Sequence, residues 1–160
     1  MGILGSIFVK EKSNIKGEEL YRELERICSV RNLFIEINLT ECDKSNKIKV
    51  IRTNISDKPL DEDIKRQLCV DIFDEPYRYR YNSFDWFDKS ITFFEIVTID
   101  FFDQNEDLLF QIVYELLKLY PNAKLWMEND WFYTLEDLEK LDKSTFHFEW
   151  CYNSPKHLKR

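Results

Sequence analysis

Residues 18–160 contain no glycine; Gly2, Gly5 and Gly17 are the only three in the chain. Glycine is the residue that enters φ > 0 freely and lets a backbone come close to a ligand. Phosphate-cradling loops and nucleophile elbows both depend on it. Neither can be written after residue 17, which excludes the common Gly-loop nucleotide-binding enzymes. The turns must be made by other residues, and asparagine tolerates the left-handed region best. Asn32, Asn46, Asn82, Asn122, Asn129 and Asn153 all fall between apolar runs.

The remaining composition describes a folded domain. Hydrophobic residues are 44% and aromatics 16% of 160 residues, too apolar for disorder and of the length of one domain. Residues 1–152 read as a single α+β domain and 153–160 as a basic tail. The two histidines are His147 and His157. His147 alternates with aromatic residues and reads as an exposed strand residue; a general base working with Glu149 is the alternative, but no nucleophile is placed beside it. Cys28, Cys42, Cys69 and Cys151 form no C-x-x-C and have no metal-ligand spacing, so a reduced, cytoplasmic protein is expected. The start, Met1-Gly2-Ile3-Leu4-Gly5-Ser6, matches a short myristoylation pattern that arises readily by chance; Ile3 to Val9 reads rather as a first strand. No run approaches the ~18 apolar residues of a membrane span. The apolar start also lacks the basic region of a signal peptide.

Periodicity supplies the elements. Residues 2–9 read as a strand. Leu20, Leu24, Ile27 and Cys28 place a helix over 17–30. Leu33 to Leu39 alternates with its odd positions apolar, and Lys47 to Ile55 follows after a turn at 42–46, so a hairpin is expected. Leu60, Ile64 and Leu68 predict a helix over 60–70 behind Pro59. Tyr77-Arg78-Tyr79-Arg80-Tyr81 alternates as a strand with tyrosines inward. The apolar run from Ser90 to Phe102 predicts a central strand buried on both faces. Leu108, Leu109, Ile112, Val113, Leu116 and Leu117 place a helix over 105–120, with acids in its first turn and Lys118 in its last. A short strand is expected at Lys124 to Met127. Thr134 and Asp137 resemble a capping box opening a helix, and Thr145 to Tyr152 reads as a closing strand. The expected fold is α+β, a largely antiparallel sheet with helices packed mainly on one face. A ferredoxin-like split unit fits the N-terminal half.

The formal charge is −7, and it is concentrated. Residues 91–152 carry 13 acids against four bases, while the first 90 residues are nearly balanced. Within the acidic half, Trp126, Glu128, Asp130, Trp131 and Tyr133 mix carboxylates with large rings, and Glu136, Asp137 and Glu139 continue onto the next helix. The reading is an acidic, aromatic-studded surface from Glu128 to Asp142 that binds a basic partner. Asp85, Trp86 and Asp88 form a second segment of the same kind. The Tyr/Arg alternation at 77–81 suggests stacking of single-stranded nucleic acid, but the net charge has the wrong sign for phosphate.

The segments Ile99-Asp100-Phe101-Phe102, Asn105 to Tyr120 and Trp131 to Leu138, with the size and acidity of the chain, resemble bacterial immunity proteins, including those of contact-dependent growth inhibition systems. That resemblance implies a small cytoplasmic α+β protein, not an enzyme, that binds and blocks a cognate basic toxin domain, such as a nuclease. Such a protein would steer onto its target by charge. No cofactor, metal, membrane or direct nucleic-acid partner is expected, and the oligomeric state is open. Two alternatives stand beside it: a carboxylate-based, metal-dependent hydrolase using Glu128, Asp130 and Asp137, and an acidic nucleic-acid mimic of phage origin.

Overall fold

A computed structural model describes residues 3–59, 63, 66–144 and 147–157. The elements run β1 (Gly5–Lys10), α1 (Gly17–Val30), β2 (Phe34–Cys42), β3 (Ile48–Ser56), β4 (Gln67–Phe73), β5 (Tyr81–Asn82), β6 (Phe93–Asp100), α2 (Glu106–Leu119), β7 (Lys124–Trp126), β8 (Phe132–Tyr133) and α3 (Leu135–Asp142). The strands form one sheet in the order β2-β3-β4-β6-β1-β7-β8, with β5 beside β6. Every recorded pairing is antiparallel. The fold is therefore α+β, as the periodicities predict.

All three helices cover one face. Leu20, Leu24 and Ile27 of α1, Leu109, Ile112, Val113 and Leu116 of α2, and Leu138 and Leu141 of α3 share a core with Ile7, Val9, Ile55, Val70, Ile72, Val97 and Leu125 of the sheet. Gly5 sits where α2 crosses β1: a Cβ there would meet Met127 Sδ at 3.3 Å and Leu109 at 3.8 Å. Asn32 and Asn46 do take positive φ, at 57° and 61°, in the turn before β2 and in the turn that joins β2 to β3. The capping box of α3 is present: Thr134 Oγ1 accepts from Asp137 N, and Asp137 Oδ2 accepts from Thr134 N at 2.8 Å.

Several expectations are corrected. The ferredoxin-like split unit does not form, because three strands, β6, β4 and β3, lie between β1 and β2. The predicted helix over 60–70 conflicts with β4, which begins at Gln67; there Leu68, Val70 and Ile72 alternate inward and tertiary pairing overrides the four-residue spacing. Leu60 and Ile64 lie outside the described residues. The alternating segment at 77–81 is a turn followed by a two-residue strand, and Tyr79 is exposed. No closing strand forms at 147–152; residues Trp150–Tyr152 make a 3-10 turn whose indole is buried and donates to Glu106 O at 2.9 Å. Thr145 and Phe146 lie outside the described residues.

Among the described residues, no helix packs on the opposite face of the sheet. Its cover is the segment from Tyr77 to Ile91, which lies over the end formed by β6, β1, β7 and β8 and, through Tyr77 and Arg80, over Phe73 at the end of β4. Along β2 and the neighbouring part of β3 this face carries exposed side chains, Phe34, Leu39 and Arg52 among them.

Candidate functional site on the helix-free face

Cross-strand register fixes which side chains share the helix-free face. One row runs Leu39 (β2), Arg52 (β3), Asp71 (β4), Thr98 (β6), Ser6 (β1), Trp126 (β7), Phe132 (β8). A neighbouring row runs Glu36, Asn54, Cys69, Asp100. A bulge between Ile37 and Leu39 shifts the alternation of β2. It brings Leu39 and Glu41 onto the same face as Phe34 and Glu36; an unbulged strand would turn them to the helix side. Glu41 Oε1 then lies 3.6 Å from Arg52, and Arg52 Nε 3.9 Å from Asp71.

The open part of this face is acidic. Glu36, Glu41, Asp71 and Asp100 lie there around Arg52, while Glu95 is buried beside Arg80. Arg80 is spent locally: its guanidinium stacks 3.9 Å over Phe73 and pairs with the buried Glu95 at 2.7 Å. Arg52, with its side chain 48% exposed, is shared between Glu41 and Asp71. Partial burial holds the Asp71 carboxyl above its ordinary value against the pull of Arg52 and Arg80, and Glu41 and Asp100 push the same way. The Cys69 thiol is raised by burial and by Asp71 and Asp100. Asp71 therefore feels Glu41 and Asp100 through a partly dry environment.

The other end is an aromatic cluster. Phe8, Phe84, Phe93 and Phe132 are buried together, with Trp86, Ile91 and Trp126 packed at the edge. Phe84 stands 5.1 Å from Trp86, Trp126 and Phe132, and Trp86 is 4.8 Å from Phe132. Phe87 closes the cluster and is 47% exposed. Trp126 Nε1 donates to Asn129 O at 2.6 Å, which fixes the indole's tilt. The two acidic-aromatic segments, 85–88 and 126–133, are distant in sequence and meet here. Asp85, Asp88 and Asp130 are exposed around this ledge, and Asp88 is held by an Asx turn to Ser90 that keeps its carboxyl below the usual range. Lys124 Nζ lies 5.7 Å from the Phe87 ring, so this end is more evenly charged.

A continuous surface from Glu128 to Asp142 does not form. Strand alternation sends Trp126 and Phe132 to the helix-free face but Trp131 and Tyr133 to the helical core. Tyr133 is fully buried, and its hydroxyl donates to Asn153 O; it lines no surface. The capping box then turns the chain, so Glu136 and Glu139 lie on the helical layer, where Glu136 pairs with Lys140 at 3.3 Å. Asp137 is committed to the cap. Glu128, at positive φ, is exposed, and its carboxylate accepts from Leu4 N at 2.9 Å. Glu128, Asp130 and Asp137 thus do not converge on one point. Among the described residues, no group of three or more His, Cys, Asp or Glu is arranged to hold a metal ion.

Sequence reading missed the acids of the sheet face, Glu36, Glu41, Asp71 and Asp100. Each sits in an alternating strand where one carboxylate signals only a solvent-facing position; their assembly depends on register between strands far apart in sequence. Among the described residues, no helix is long and apolar enough to cross a membrane. No protein-family model, curated protein or solved structure matches this chain.

Proposed function

We propose that this chain is a non-catalytic binding protein that covers a basic surface of another protein, in the manner of an immunity protein blocking a toxin domain. The supporting observation is the helix-free sheet face: four partly exposed carboxylates, Glu36, Glu41, Asp71 and Asp100, around Arg52, beside an aromatic ledge of Trp86, Phe87 and Trp126. Carboxylates on a rigid sheet attract and orient a cationic partner, and half-exposed rings supply the apolar anchors of an interface. A nuclease cleft, built to hold phosphate, has the complementary charge.

The test titrates the purified basic proteins encoded by the flanking genes against this chain by calorimetry at low and high salt. Binding should weaken as salt rises. The variant E36K/E41K/D85K should bind roughly thirtyfold more weakly, taking about 0.7 kcal/mol for each exposed charge. The variant E18K/E136K/E139K, on the helical side, should bind as the parent does. Equal loss in both variants, or salt-independent binding, would refute this reading.

A further inference from the structure

The strand at the end of the sheet carries a feature that the acidic face alone does not explain. β2 has nine residues, and among the described residues no strand pairs with its outer edge. Alternate N–H and C=O groups along it therefore point outward without a ladder partner. Its side chains are unusually apolar for such a position: Phe34 is 39% exposed, Ile37 46% and Leu39 48%. It carries no lysine, arginine or proline, the residues that ordinarily blunt an exposed edge.

We propose that β2 is a strand-addition site that takes an extended segment of a basic protein partner, its cations over the helix-free face and its apolar residues over the helix side. The inference rests on the reading of the chain as a binder of a basic protein, and it locates where the partner's backbone attaches. A strand laid along β2 shows its side chains alternately to the two faces. On the helix-free face it meets Glu36 and Glu41, with Phe34 and Leu39 positioned to pack against the stems of lysine or arginine. On the helix side it meets Ile35 and Ile37. The bulge at Asn38 supplies this pattern, since it is what brings Glu36 and Glu41 to one face.

Charge selects against a second copy of the chain. Antiparallel pairing of two β2 strands about a two-fold axis would gather two copies each of Glu36 and Glu41 along one seam. Each chain also carries a net −7. A cationic strand removes that repulsion and gains the main-chain hydrogen bonds.

The probe is a synthetic seven-residue peptide of alternating lysine and valine, capped at both ends, with a glutamate–valine peptide as control. Amide exchange across the whole chain is followed by NMR with peptide up to about 5 mM, which detects affinities in the millimolar range. The lysine–valine peptide should slow exchange of outward-facing amides between Phe34 and Cys42 about tenfold, leaving β1 and β6 unchanged, and the glutamate–valine peptide should not. In E36K/E41K the protection should disappear while the exchange pattern of the core stays that of the parent, which shows the variant folded.

Four results would overturn the proposal: no protection of β2 at the highest concentration, protection located elsewhere, equal protection by the glutamate peptide, or protection of β2 that grows with protein concentration in the absence of peptide, which would mean self-pairing. If a basic protein partner binds with the expected salt dependence but β2 stays open to exchange, the edge proposal fails and the functional reading stands. If the peptide protects β2 but no basic protein binds, the reverse holds.

Discussion

Replacing Phe84 by alanine should uncover one half of the candidate site. Phe84 is 7% exposed and belongs to the segment that roofs the aromatic end of the sheet. Its ring stands 5.1–5.3 Å from Trp86, Trp126, Phe132 and Phe8, so one side chain joins the covering segment to β1, β7 and β8. Phenylalanine-to-alanine changes in cores cost about 3–5 kcal/mol, and the lower part of that range applies where a covering loop can settle into the void. We expect F84A to lose about 3 kcal/mol. For a chain of this length that is a fall of roughly 10 °C in Tm. F84L, which keeps most of the volume, should lose about 1 kcal/mol. The assay is urea unfolding followed by circular dichroism and by tryptophan emission. Because Trp86 and Trp126 both pack on this ring, native emission should shift to the red in F84A. A loss under about 1 kcal/mol, with emission unchanged, would show that Phe84 does not pin the segment to the sheet.

Three further outcomes follow from the same geometry. Thr134→Ala removes the side-chain half of the α3 capping box and should cost about 1 kcal/mol in urea unfolding; no change would mean that Asp137 alone holds the helix start. Burial pushes the Tyr120 and Tyr133 hydroxyls and the Cys28 and Cys151 thiols up to about 12. The unfolded chain releases these protons near pH 9–10 while the folded chain keeps them, so their contribution to stability is complete below about pH 9 and is lost as pH rises toward 12. Urea midpoints should therefore fall steeply above pH 9.5, and a constant midpoint to pH 11 would contradict the burial of these groups. E36K/E41K/D85K should separate binding from folding, with Tm within about 2 °C of the parent because all three side chains lie at the surface.

Local pattern carried much of this architecture. The amphipathic spacing of Leu20, Leu24, Ile27 and Cys28 specifies α1 over Gly17–Val30. The dense apolar run in β6, interrupted only by Glu95 and Thr98 before Asp100, specifies a strand buried on both faces, and it lies near the middle of the sheet. Thr134 and Asp137 mark the start of α3 through a bond made within four residues. The failures share a cause. The apolar odd positions of β2 mark a strand but not its place in the sheet: Ile37 and Leu39 are exposed because β2 is the last strand, and sheet order is not a local property. Leu68 fits a helical spacing with Ile64 and also a strand alternation with Val70 and Ile72; pairing with β3 decided for the strand. The supposed surface from Glu128 to Asp142 was divided because residues adjacent in sequence point to opposite sides of a strand and a cap then redirects the chain. Conversely, the acidic face assembles from Glu36, Glu41, Asp71 and Asp100 only through antiparallel register and one bulge.

Carboxyl-group footprinting of the chain in complex with a basic protein found to bind it tests the proposed location of the interface most directly. A carbodiimide couples a neutral amine to every accessible Asp and Glu, and mass spectrometry reads the extent at each. On binding, labelling of Glu36, Glu41, Asp85 and Asp100 should fall several-fold while Glu18, Glu136 and Glu139 label as in the free chain. Protection of the helical set with the sheet-face set unchanged would place the partner on the opposite side of the molecule and contradict the account.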